Sequence, residues 1–264
     1  MDKIKTIVAK EWAEVFKNRL VLFTVAFLPL ILTAIPLITL GFTSGADQDI
    51  AELLESGQSD PFFAELCRGL SELECAQVYT LNIFTLMFMI LPVAIPVSIA
   101  AYSVVGEKTS RSLEPLLATP ITTAELLLGK MIAAVVPAIV VTWLAFGIYV
   151  GGVWLLASVE MAGRVLQSHW LIAIFIVGPL LTLLSVSAAL IVSSRVSDPR
   201  VAEQLSALVI LPLVLLLVAQ STGLILLDRR AVIVMALVVA LLDSALVYLS
   251  VRLFQRETIL TRWR

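Results

Sequence analysis

Six long apolar runs, separated by polar segments, constrain this chain more than anything else in it. They cover residues 20–40, 78–105, 131–156, 170–192, 205–227 and 231–254. A bilayer core about 30 Å thick is crossed by roughly 20 apolar residues in a helix, and every run reaches that length. Lipid offers no partner to a bare backbone amide, so the runs must be helical. Barrel strands would be shorter and would alternate strictly. The predicted fold is an all-α integral membrane protein with six transmembrane helices. Of 264 residues, 60% are hydrophobic and 14% charged, against roughly a quarter charged in soluble domains. The mean hydropathy of +1.02 leaves the bilayer to cover the surface. The first run has 21 residues, beyond the ~7–15 of a signal-peptide core, so no cleaved leader is expected.

Lysine and arginine set the orientation. With the N-terminus inside, the inner segments hold 14 of them and the outer segments only Arg68, Arg164, Arg229 and Arg230. Both termini are therefore predicted to be cytoplasmic. A net charge of −2 gives no basic face for nucleic acid. The chain divides into an amphipathic helix over 1–19 and a six-span domain over 20–264. An outer loop spans 41–77 and a cytoplasmic segment spans 106–130.

In the first 19 residues Ile4, Val8, Trp12, Val15 and Phe16 form one apolar stripe, with Lys3, Lys10, Glu14 and Lys17 towards the other side. Such a helix lies flat on a bilayer, Trp12 at headgroup depth and its lysines over anionic lipid. The outer loop carries eight acids and one arginine and is predicted to form short amphipathic helices. It also holds Cys67, and Cys75 follows closely. In an oxidising compartment these two could bridge, and the alternative is two unpaired thiols on apolar faces.

The segment between spans two and three carries the functional signal. Leu113, Leu116 and Leu117 form an apolar ridge flanked by Glu107, Arg111 and Glu114. Pro120 stops any helix arriving from span two and pushes Thr119 towards extended geometry. Thr122 with Glu125 reads as a capping box that starts the helix of span three. A short apolar ridge with a charged rim suits a groove on a partner protein. A turn that only reversed the chain would need far fewer residues.

The run Glu107-Lys108-Thr109-Ser110-Arg111-Ser112-Leu113-Glu114-Pro115-Leu116-Leu117-Ala118-Thr119-Pro120, continuing to Glu125 and Lys130, resembles the signature of type-2 ATP-binding-cassette permeases. These are the membrane subunits of bacterial exporters. The residues Ser197-Asp198-Pro199-Arg200 before span five resemble the sodium-exporter-like branch of that family. Arg111 departs from the pattern, standing where many members have glycine. The resemblance implies that 112–119 is a coupling helix docking on a separate ATP-hydrolysing subunit, with the helix around Trp12 and Phe16 packed beside it. It implies ATP and Mg bound in that partner and a second permease copy, a homodimer by default. The setting would be a bacterial or archaeal plasma membrane.

The chain itself has no phosphate loop. Gly129-Lys130 is preceded by Ala124 where glycine is required and followed by Met131 where Ser or Thr is required. No metal cluster or nucleophile–base pair is in register, so the chain is not expected to be an enzyme. Asp243 lies near the middle of span six, where a carboxyl is costly unless paired, hydrated or protonated. It reads either as a pathway or cation site or as a packing hydrogen bond, with Gln220 or a serine as partner. Two rival functions follow: a secondary carrier coupled through Asp243, or a membrane scaffold binding a protein through 106–130. Residues 221–239 could form a re-entrant hairpin. The prolines of spans one to five read as hinges or as tolerated bends.

Overall fold

The computed structural model describes residues 2–17, 19–43, 71–109, 121–157, 159–196, 198–222, 224 and 227–253. Among them six helices are long and apolar enough to cross a membrane: 21–42, 74–107, 124–156, 168–195, 200–221 and 229–252. These are spans one to six. Helix α1 (Asp2–Val15) precedes them, and α2 (Arg19–Thr43) contains span one. Span two joins α3 (Glu72–Met87) to α4 (Leu91–Thr109), and α5 (Thr123–Leu156) is span three. The described residues contain no strand.

Span two is the axis of the bundle. Of its most apolar stretch 72% is buried, against 17% for spans five and six. Span four packs along span two and also against spans three and six, while span one packs on span three. The interior is filled by Phe88, Ile95, Phe146, Tyr149, Trp170 and Ile174. Gly152 lets span one approach, since a Cβ there would lie 2.5 Å from both δ-methyls of Leu37.

Two helix starts are fixed by capping boxes. Thr122 and Glu125 bond each other's backbone amides as their spacing predicts, and Ser71 with Glu74 does the same before α3. Three prolines explain the irregular turns. Pro92, Pro179 and Pro212 each follow by two residues a non-α stretch: 3₁₀ at Phe88–Ile90, π at Ala173–Val177 and 3₁₀ at Ala207–Ile210. A proline ring collides with the carbonyl four residues earlier, and in all three cases that carbonyl lies in the irregular stretch. Pro29, Pro36, Pro96 and Pro137 sit inside continuing helices instead.

One expectation changes. Arg229–Leu253 is one unbroken helix of 25 residues, about 37 Å at 1.5 Å per residue. Span six is thus a single crossing, and no hairpin turns back within its described length. At the end of the segment read as the outer loop, 41–77, a helix begins at Glu72 and continues into span two. The rest of that loop, with Cys67, lies outside the described residues, as do 110–120 and everything after Leu253. Cys75 is disulfide-bonded.

Candidate functional site

The strongest constellation lies where α1 meets the near ends of spans two and three. Four charges converge there. Lys130 Nζ is 2.7 Å from Glu11 Oε1 and 2.9 Å from Glu107 Oε2, while Lys10 Nζ is 2.6 Å from Glu107 Oε1. Ser103 completes the group: its hydroxyl donates to Glu11 Oε2 at 2.6 Å and accepts from Lys130 Nζ at 2.8 Å. Side chains of Glu11, Glu107 and Lys130 are each only 3% exposed. The two carboxylates and two ammoniums cancel, and each carboxylate oxygen faces a donor. That is the condition under which buried charge is tolerated. The Lys130–Glu107 contact is a buried ion pair.

Lys10 is the one member with substantial access to water. Burial alone would lower its pKa, but the hydrogen bond and charge of Glu107, helped by Glu11 and Glu14, outweigh that and hold it above the ordinary 10.5. Glu14, one turn on, lies 3.5 Å from Lys10.

Two backbone features let α1 come this close. A Cβ on Gly129 would sit 2.6 Å from Ile7 Cγ2 and 2.9 Å from Ile7 Cβ, so only glycine leaves room. The Trp12 indole donates to the carbonyl of Ala133 at 3.0 Å. In an α-helix that carbonyl would receive the amide of residue 137, which is Pro137 and has none. Trp12 therefore fills a vacancy that proline creates. Ile7 and Val15 bury on the same side of α1, each contributing about 1.5–3 kcal/mol.

The buried face of α1 is therefore Ile7–Glu11–Val15, rotated from the stripe expected from the sequence. Ile4, Val8 and Trp12 flank it half-buried, and Phe16 remains exposed. Glu107, expected on a charged rim, is instead inside this lock. Glu11, Ser103 and Lys130 were not expected to join it. The signal for Glu11 was present, for it is the acid between Ile7 and Val15 at spacings of four on an otherwise apolar line. The other coupling residues, Arg111, Leu113, Glu114, Leu116, Leu117, Thr119 and Pro120, lie outside the described residues. Their flanks do not: α4 ends at Thr109 and α5 starts at Thr123, so α1 is tied to both helices that flank 110–120 in the chain.

Gln220 and Asp243 are not brought together. Span five packs against span two and not substantially against span six. Gln220 is buried near the Ser221 carbonyl, which accepts from Tyr79. Neither the Gln220 Oε1 nor either Asp243 oxygen has a hydrogen-bond partner among the described residues. Among those residues no group of three or more His, Cys, Asp or Glu could hold a metal.

Six helices able to cross a membrane, with α1 tied by buried ions to two of them, describe a multi-pass bundle. Residues 5–228 match the family described as ABC-2 family transporter protein, and the chain belongs to that family. It is accordingly a multi-pass permease component of an ABC transporter. Among curated proteins none matches it.

Proposed function

We propose that this permease is driven by a separate ATP-hydrolysing subunit, bound through 110–120 on the cytoplasmic side, and that it exports its substrate as a homodimer in a prokaryotic plasma membrane. ATP and Mg would be held by that subunit. The observation supporting the reading is the lock of Glu11, Lys10, Glu107 and Lys130, which ties α1 to both helices flanking the elbow. A force applied at 110–120 would then move α1 and the bases of spans two and three as one rigid body. An elbow that served only to reverse the chain would not need charged groups buried at its root.

The test is co-purification followed by flux. A stoichiometric ATPase subunit should accompany the full-length permease, and transport into vesicles should require ATP. Leu116→Asp, placed on the apolar ridge, should abolish ATP-dependent flux while leaving membrane insertion intact. Full transport by that variant, or transport with no ATPase present, would overturn the reading.

A further inference from the structure

Span six holds a third buried acid, and no charge among the described residues neutralises it. Asp243 is 4% exposed, and neither carboxylate oxygen has a hydrogen-bond partner among the described residues. The helix packs mainly on span four, from Ser168 to Arg195, and lightly on span three. The charged and titratable groups of those elements are all committed or remote. Arg195 is exposed at the α1 end of span four, and His169 lies at the opposite end, its ring beside Trp170. Lys130 is held by Glu11, Glu125 by its capping box, and the Tyr149 hydroxyl donates to Leu81 O. On span six itself, Arg229 and Arg230 are at the far terminus, and Arg252 lies over the Tyr248 ring at 5.2 Å.

An ionised carboxylate at this depth without a counter-charge is too costly to persist. A proton removes the cost with no other ligand. The surroundings also define a route. Seven residues on, two turns along the same face, Ser250 is fully buried and its hydroxyl unbonded. On span four Ser187 is likewise buried and unbonded, eight residues before Arg195, as Asp243 is nine before Arg252. The other buried hydroxyls of that helix, on Thr182, Ser185, Ser193 and Ser194, each donate to their own backbone. In the opposite direction the buried face of span six is apolar, with Val239 and Val232.

We infer that Asp243 is a proton-binding site, loaded from the α1 end past Ser250, whose proton keeps spans four and six packed together. The packed state binds the proton and a state that admits water releases it, so rising pH favours the opened state. The site does not depend on the ATPase reading, and its test uses neither ATP nor cargo.

The experiment is infrared difference spectroscopy on the full-length permease in oriented lipid vesicles. At neutral pH the wild type should show a protonated-carboxyl stretch that disappears on alkalinisation. The stretch should be missing in Asp243→Asn and kept, at a shifted frequency, in Asp243→Glu. A pH jump on the α1 side should move it promptly, and Ser250→Ala should slow that response several-fold. No such stretch at neutral pH, or one that survives in Asp243→Asn, would overturn the site. Loss of the stretch on adding sodium or potassium at fixed pH would overturn it too, because a metal ion would then be the ligand. A response only to the opposite side would overturn the route.

Discussion

The lock at the foot of α1 and the acid in span six are both buried carboxylate sites, and they meet the cost of burial in opposite ways. At the lock, Glu11 and Glu107 meet Lys130 and Lys10 at 2.6–2.9 Å, and Ser103 satisfies what remains. In span six, Asp243 has no such company among the described residues. A closed set of charges is stiff, since removing one member strands the others. A lone acid is responsive, since one proton changes its character entirely. The stiff set lies beside the helix ends that flank 110–120, and the responsive acid lies within an apolar span.

The largest expected effect tests the stiff half. Lys130→Met leaves two buried carboxylates short of a partner and should cost about 3–5 kcal/mol, read as a lower unfolding temperature of the purified protein. Adding Glu11→Gln should recover part of the loss. A single variant as stable as wild type would show that the lock is not closed. Next, Gly129→Ala would ordinarily favour a helix by up to about 1 kcal/mol. Here the new methyl meets the stem of Ile7, so a net loss of about 1–2 kcal/mol is expected from overpacking, with rescue by Ile7→Ala. Protease access at the α1–α2 junction would report the displaced helix.

The responsive half predicts a smaller change. Asp243→Asn copies the shape and neutrality of a carboxylic acid, so stability near neutral pH should move by less than about 1 kcal/mol. A loss as large as that of Lys130→Met would erase the contrast. The smallest effect belongs to Lys10. Its pKa is raised in the fold, so its contribution is complete below the unfolded value of 10.5 and fades as pH climbs through the higher folded value. Trp12 fluorescence should therefore report loosening of α1 only in strongly alkaline solution, and Lys10→Met should remove that pH dependence.

Much of this was legible before any coordinates. Span length and hydropathy located all six crossings, and Thr122 with Glu125 marked the start of span three. Helix ends were less legible, because span two extends past its apolar run to Glu72 through a serine cap. The lock was legible only in fragments. Glu11, Glu107 and Lys130 each look like ordinary charges near a membrane surface, and nothing in their separations along the chain says that they converge. The rotation of α1 was hidden for the same reason. An acid and an isoleucine on its inward line are explained only by a lysine and a glycine more than a hundred residues away. Asp243 stood out from the start, since a carboxyl inside an apolar run is visible without any partner being known.

One detail bears on how such bundles diversify. Twice a tryptophan reaches across to a carbonyl that a proline has left without its amide: Trp12 to Ala133 O, below Pro137, and Trp143 to Ile174 O, within the π stretch before Pro179. An interior proline thus writes an address on a helix surface, legible to any neighbour that offers an N–H. Shifting the proline by a turn would relocate the address.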